Sequence, residues 1–411
     1  MQDESAAPSR GFEAWKDAFR RHLAPTSSEP IGLVVERALG VWIHGVDGRR
    51  YLDLLSGIGV ANLGHTPPEV VDAVARQNVR HHHVMVYGEY VQEAQALYAA
   101  ELAAIAPAGL DSVFFVNSGA EAIEGALKLA RKATGRRGFV AFDGAYHGDT
   151  LGALSLAGNE RYRRPFEPLL GPLRLLPFGD ARGLAAIDET VAAVVVEPVQ
   201  GEGGVRIPPP DFLPALEARC RATGAILVVD EVLTGFGRTG RVFAVERWGV
   251  RPDVLVLAKA LGGGYPLGAF VASGSLMRVL AEDPPLSHVT TFGGHPVSCA
   301  AGRAALGVLL RDRLAERADT VGARFLDSLK ETLTGLPGVR EVRGIGMLLG
   351  IELDTAARTR VFVEQCRDRG LLLGWTLHHD HIVRLAPPLI TPEDVFEEAA
   401  RTMAGVLEAS G

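Results

Sequence analysis

Lysine is nearly absent from this chain. Of its 42 cationic residues only Lys16, Lys128, Lys132, Lys259 and Lys330 are lysines, so arginine carries most of the positive charge. Cysteine is scarcer still. Cys220, Cys299 and Cys366 are too few and too scattered for a disulfide framework or a zinc site. No apolar run is long enough to span a bilayer, and the opening MQDESAAPSRGFEAWKDAFRRHLAP lacks the apolar centre of a signal segment. A soluble, cytoplasmic protein is therefore expected. A basic excess is missing too: the net charge of -7 gives no electrostatic reason to expect a nucleic-acid partner. What is present, 411 residues that are 47% apolar, suffices for a large domain and a smaller one with ample core.

The pattern along the chain divides it in three. Residues 1–60 start with an amphipathic helix and continue into GVWIHGVDGRRYLDL, where VDGRR separates two strand-like runs as a hairpin turn would. Residues 61–295 read as the large domain, in which strand and helix alternate from about residue 90. SVFFV, GFVAF, AAVVVEP, AILVVDE and DVLVLAK are short, β-branched and continuously apolar, and each is bounded by glycine, proline or an acid. The helical stretch AEAIEGALKLARKATG ends at Gly135. This is the signature of an α/β domain whose mostly parallel sheet is covered by helices on both faces. Residues 296–411 read as a smaller α+β domain, helical over 300–335, then two strand regions and a last helix. In such folds ligands gather beyond the carboxyl ends of the strands.

Four of those strand ends carry unusual chemistry. After SVFFV come Ser118, Gly119 and Ala120, where small residues open a helix and its N–H groups could receive an anion. Alone, the serine would be an ordinary helix cap. After GFVAF, the glycine-flanked loop DGAYHGDT offers Tyr146 for stacking, with His147 beside it. After AILVV stands Asp230, a carboxylate that needs a cationic partner if desolvated. After DVLVLA stands Lys259, whose amine becomes nucleophilic when burial lowers its proton affinity. Each has a bland reading as a cap, a packed ring, a salt-bridged acid or a snorkelling lysine. Together they make an anion cradle, a stacking ring, a carboxylate for a pyridinium nitrogen and an imine-forming lysine. That inventory suits pyridoxal 5′-phosphate (PLP).

NSGAEAIEGALKLAR, YHGDT, VEPVQGEGG, DEVLTGFGRTG, AKALGGGYPLGA and TTFGGHPVSCAAG stand in the order and spacing of the class III PLP-dependent aminotransferases. From about residue 30 to the end the chain resembles the ornithine, acetylornithine and 4-aminobutyrate aminotransferase group. The resemblance implies fold type I, a homodimer with active sites at the subunit interface, and ping-pong transfer of an amino group from an ω-amino acid, diamine or diamino acid to a 2-oxo acid such as pyruvate or 2-oxoglutarate. It implies that Lys259 is the Schiff-base lysine that also moves the proton, and that Asp230 keeps the pyridine nitrogen protonated. Val232 and Tyr146 would flank the ring. Ser118, Gly119 and Ala120 would hold the phosphate, and Thr291 would reach the phosphate bound by the neighbouring subunit, with Thr290 beside it contacting substrate. Glu202 and Arg384 match a switch pair in which the arginine takes the keto acid's carboxylate and the glutamate masks it when the amino donor is bound.

Two positions depart from the ornithine and acetylornithine patterns. Leu233 stands where ornithine-type members often have a glutamine that contacts the cofactor's phenolic oxygen. Asp149 stands where acetylornithine enzymes have a carboxylate-binding arginine, as in the YHGDT of diaminopelargonate aminotransferases; an acid there could face a substrate ammonium instead. The histidine runs 81–83 and 378–381 lack a ligating spacing and read as lining a substrate mouth or interface, not as a metal site. LGGGYPLG lacks the spacing of a dinucleotide loop. The rival readings are a racemase, aminomutase or lyase of the same fold, and a non-catalytic binder, which the presence of both Lys259 and Asp230 disfavours.

Overall fold

The computed structural model describes residues 10–409. Three sheets organise the chain. Strands β1 (Val35–Leu39), β2 (Trp42–Gly45) and β3 (Arg50–Asp53) form an antiparallel meander. The VDGRR turn closes it, with the Asp47 carboxylate accepting the Arg49 N–H at 3.0 Å.

The central sheet has seven strands: β4 (Ser112–Val116), β5 (Gly138–Phe142), β6 (Leu173–Leu176), β7 (Val191–Val196), β8 (Ile226–Asp230), β9 (Val254–Leu257) and β10 (Gly268–Ala272), in the spatial order β4-β10-β9-β8-β7-β5-β6. Every residue of β5, β7, β9 and β10 is buried, which is why these strands read as continuous apolar runs. The β6-β5-β7-β8-β9 pairings are parallel, whereas β10 runs antiparallel to both β9 and β4. The glycine-rich stretch after Lys259 is thus the connection of an antiparallel pair.

The helix Gly119–Thr134 shows how sequence sets the helical layer. Ser118 caps it by accepting the Glu121 N–H, basic Arg131 and Lys132 lie in its last turn, and Gly135 ends it in the left-handed region at φ +69°. Its buried face of Ala122, Ile123, Ala126, Leu127 and Ala130 packs on β9 and β10.

A third sheet joins β11 (Val339–Ile345), β12 (Leu348–Leu353), β14 (Gly374–Trp375) and β15 (Ile382–Leu385) in the order β11-β12-β15-β14, while β13 (Leu371–Leu372) pairs in parallel with β3. One sheet is therefore shared between the start and the end of the chain. The stretch 300–335 is two helices, Pro296–Arg311 and Leu314–Leu333, broken where Arg313 adopts φ +51°. The first lies on the helices Pro68–Arg80 and Glu93–Ile105, the second on β11 and the closing helix Glu393–Ala409.

Candidate active site

The carboxyl ends of β4, β5, β7, β8 and β9 surround a cavity of about 570 Å³. Ser118, Gly119, Ala120, Tyr146, His147, Asp149, Glu202, Asp230, Val232, Leu233 and Lys259 all line it. So do Asn117, Glu197 and the Gly264–Leu267 stretch, none of which is among the site residues expected from sequence.

At the β4 end, the backbone of Ser118 passes so close to Gly268 of β10 that a Cβ there would collide with the Ser118 carbonyl oxygen. A Cβ on Gly119 would press against Val232 at 3.0 Å. The loop after β5 is drawn in equally closely: Gly148 has φ +123°, and a Cβ on it would stand 2.6 Å from Ala120. The small residues of both motifs thus hold the helix start and the Tyr146 loop side by side. Thr290 lies behind this corner, where its hydroxyl accepts from Asn117 Nδ2 at 3.0 Å, and Thr291 is exposed outside the cavity.

At the β8 end, Asp230 has one oxygen 2.7 Å from His147 Nδ1 and the other accepting the Val232 N–H at 2.9 Å. The carboxylate raises the proton affinity of His147 against the opposing effect of burial. Glu197, at the β7 end, is buried beside this pair and accepts the N–H groups of Tyr146 and Gly201. Burial, with the Asp230 charge adding to it and His147 opposing, pushes its carboxyl up to about 7. An acid closing an apolar strand was the signal that marked Asp230, and Glu197 carries it too.

Lys259 follows β9 with φ +49°, a conformation that turns its side chain into the cavity wall. Burial and the nearby Arg384 guanidinium push its amine down to about 8, against the pull of Glu202, Asp230 and Glu197. Arg384, from the centre of β15, is 4% exposed and pairs with Glu202 of the cavity wall. Its cross-strand neighbours are Gly350 and Gly374, which leave its long side chain free to cross toward the β7 end. Leu233 is tucked between Gly59 and Gly201, where any added Cβ would strike it. Asp149 accepts the Tyr146 hydroxyl at 2.8 Å.

Residues 23–407 match the sequence profile of the family described as Aminotransferase class-III. The chain belongs to that family. It is 43% identical over 391 residues to the acetylornithine aminotransferase of Methanopyrus kandleri, covering 95% of this chain and 97% of that one. It is 41% identical over 391 residues to the putrescine aminotransferase of Pectobacterium atrosepticum, covering 92% of this chain and 82% of that one. Among solved structures it is similar to the ornithine aminotransferase of Toxoplasma gondii crystallized with oxidized glutathione, with a TM-score of 0.89 at 31% identity over 97% of this chain and 94% of that one. That structure is described as having partial occupancy of PLP at its active site.

The chain is a PLP-dependent aminotransferase of the α/β, fold type I class expected from its motifs. Its cavity suits the cofactor on the chemistry of its donors: an amine of lowered proton affinity, a carboxylate held by His147, and a helix start of small residues for an anion. Among the described residues no helix is long and apolar enough to cross a membrane, and no group of three or more His, Cys, Asp or Glu is placed to hold a metal.

Proposed function

We propose that this aminotransferase takes its amino group from an amine with a second charged end, a diamine or an ω-amino acid, and passes it to a 2-oxo acid. The observation that carries the reading is the Arg384–Glu202 pair at the wall that also holds Lys259. A two-substrate enzyme must accept a carboxylate in one half-reaction and dispense with it in the other. A buried arginine with a displaceable partner does both. PLP, when bound, supplies a carbonyl for the amine and an electron-withdrawing ring. Lys259 would hold it covalently and would carry a proton on Nζ between two positions on the substrate. Asp230, steadied by His147 and the Val232 N–H, holds a proton on the ring nitrogen. Val232 and Tyr146 would flank the ring, His147 would steady Asp230 from behind, and Ser118, Gly119 and Ala120 would receive the phosphate.

Exposed Thr291 then suits a role on a neighbouring subunit, with Thr290 at the substrate end, in a cytoplasmic homodimer whose sites lie at the interface. The proposed division is 1–60, 61–295 and 296–411; the β3–β13 pairing supports joining the first part to the third. Relatives of similar identity act on acetylornithine and putrescine by name, so identity alone does not choose the donor. Asp149 favours a donor with a distal ammonium.

Borohydride treatment of the holoenzyme followed by peptide mass mapping tests the anchor: the pyridoxyl mass belongs on the Lys259 peptide. Single-turnover bleaching of the cofactor's absorbance by ornithine, acetylornithine, lysine, putrescine and 4-aminobutyrate then ranks the donors. Turnover with an amino acid and no 2-oxo acid would turn the reading toward a racemase.

A further inference from the structure

Glu202 is held by more than Arg384. Its second carboxylate oxygen accepts the backbone N–H of Leu377 at 2.7 Å, and its own carbonyl accepts the His378 N–H at 3.2 Å. Leu377 and His378 sit in the turn between β14 and β15, the strand that carries Arg384. Both partners of the Glu202 carboxylate thus come from one hairpin. The turn is stiffened from within, by Thr376 N–H to the Ile382 carbonyl at 2.9 Å and Thr376 hydroxyl to the His379 carbonyl at 2.8 Å.

It is also moored to the central-sheet side of the cavity. The Tyr162 hydroxyl donates to the Leu377 carbonyl at 2.8 Å, and the Tyr162 ring lies against His378 at 5.3 Å. His378 Nδ1 stands 3.1 Å from the Gly144 carbonyl oxygen, which can only accept, so the ring N–H points there. The His378 ring meets Tyr146 edge-on at 6.2 Å.

We infer that the 376–379 turn is a latch on the substrate switch, moored by Tyr162 and His378, which holds Glu202 on Arg384 and so sets how readily a substrate carboxylate reaches that arginine. The inference rests on Arg384 being the carboxylate site and Glu202 its mask. For a carboxylate to displace Glu202, the Leu377 N–H bond must be given up or the turn must move with it. A firm latch therefore weakens binding of the 2-oxo acid and favours the state that receives an amine without a carboxylate at that position. Tyr162 and His378 are positioning residues: Tyr162 bonds to the turn, His378 belongs to it, and neither touches the reacting atoms.

The test uses the holoenzyme and glutarate, an unreactive dicarboxylate, by calorimetry, together with KM and kcat for each half-reaction. Tyr162→Phe keeps the ring against His378 and removes one hydrogen bond, whose net worth corresponds to about five-fold in an equilibrium. Tyr162→Phe and His378→Ala are expected to bind glutarate several-fold more tightly and to lower KM for 2-oxoglutarate; in Tyr162→Phe, which leaves the His378–Tyr146 contact in place, kcat of the amine half-reaction is expected to change little. Arg384→Ala is expected to lose glutarate binding. If Arg384→Ala loses it while both latch variants bind glutarate as the parent does, or more weakly, the latch is wrong and the switch stands. If Arg384→Ala binds glutarate normally, the switch reading falls and the latch with it.

Discussion

His147 Nδ1 lies 2.7 Å from one carboxylate oxygen of Asp230, and both side chains are almost wholly out of solvent. Removing the ring leaves a buried carboxylate with the Val232 N–H as its other partner. A hydrogen bond to a charged group is worth about 1.5–3 kcal/mol, a factor of ten or more in affinity. His147→Ala is therefore expected to weaken PLP binding to the apo-protein at least ten-fold, read by fluorescence titration. His147→Asn, which retains a donor, is expected to recover part of it. Unchanged affinity in both variants would show that Asp230 holds its position without help.

Lys259 gives the site a pH signature. With its amine pushed down to about 8 by burial and Arg384, the nucleophilic neutral form dominates above that pH and declines below it. Covalent capture of PLP by the apo-protein is expected to accelerate from pH 7 to 9 with a midpoint near 8, followed by stopped-flow absorbance. Arg384→Ala removes a cationic neighbour, so its midpoint is expected to lie higher. A midpoint that ignores Arg384 would show that burial alone sets the amine's affinity.

The strand ends were readable because a buried parallel sheet demands apolar β-branched runs, and any charged residue closing such a run stands out. Lys259 and Asp230 stood out in this way, and Glu197 stood out equally without having been given a role. Direction was not readable: GAFVA looks the same whether β10 runs parallel or antiparallel, since an apolar pattern carries no sense of direction. The latch was hidden for another reason. Its central donor is the Leu377 backbone N–H, which every residue but proline possesses, so no residue type announces it. The histidine run 378–381 is expected from sequence to line a substrate mouth or interface, and its His378 belongs to the turn that holds Glu202.

Arg238, in the GFGRTG motif, illustrates a motif residue that works on the fold. It is fully buried, and its guanidinium donates to the carbonyls of Met347 and Pro387 and to Asn62 Oδ1. Burial pushes its proton affinity down to about 9, with Asp53 opposing. One side chain thus ties together segments from the start, middle and end of the chain. Arg238→Ala strands three buried acceptors and leaves a void, and a loss of about 3 kcal/mol or more is expected in denaturant unfolding. A change below about 1 kcal/mol would mean that water replaces the guanidinium freely.

Glu231 follows Asp230 but points away from the cofactor side, into the core, where it accepts the Val245 N–H and the Thr234 hydroxyl. Burial raises its carboxyl to about 7, as it does that of Glu197. A folded-state affinity above the unfolded value stabilises fully below about pH 4.5, and that contribution is lost as pH rises through 7. His147, also raised, acts in the same direction. The apo-protein is therefore expected to melt at a lower temperature at pH 8 than at pH 5.5. Glu231→Gln keeps an acceptor for Val245 and can donate to the Thr234 oxygen, so it is expected to flatten this slope and to stabilise at pH 8 by an amount on the order of 1–3 kcal/mol. An equally steep slope in the variant would assign the effect to Glu197 and His147.

Asp149 offers the most direct handle on donor choice. Its carboxylate lines the cavity and accepts the Tyr146 hydroxyl, leaving lone pairs for a second donor. A substrate ammonium can occupy that position, while a substrate carboxylate is repelled there. Asp149→Asn preserves the size and the acceptor for Tyr146 and removes the charge. The variant is expected to lose several-fold in kcat/KM with putrescine and to gain with 4-aminobutyrate, because the two donors differ in the sign of the distal group. Tyr146→Phe serves as the control, since it releases Asp149 without discharging it and should move both donors in the same direction. If Asp149→Asn also moves both donors together, the carboxylate acts only through the tyrosine, and the distal end of the donor is recognised elsewhere in the cavity.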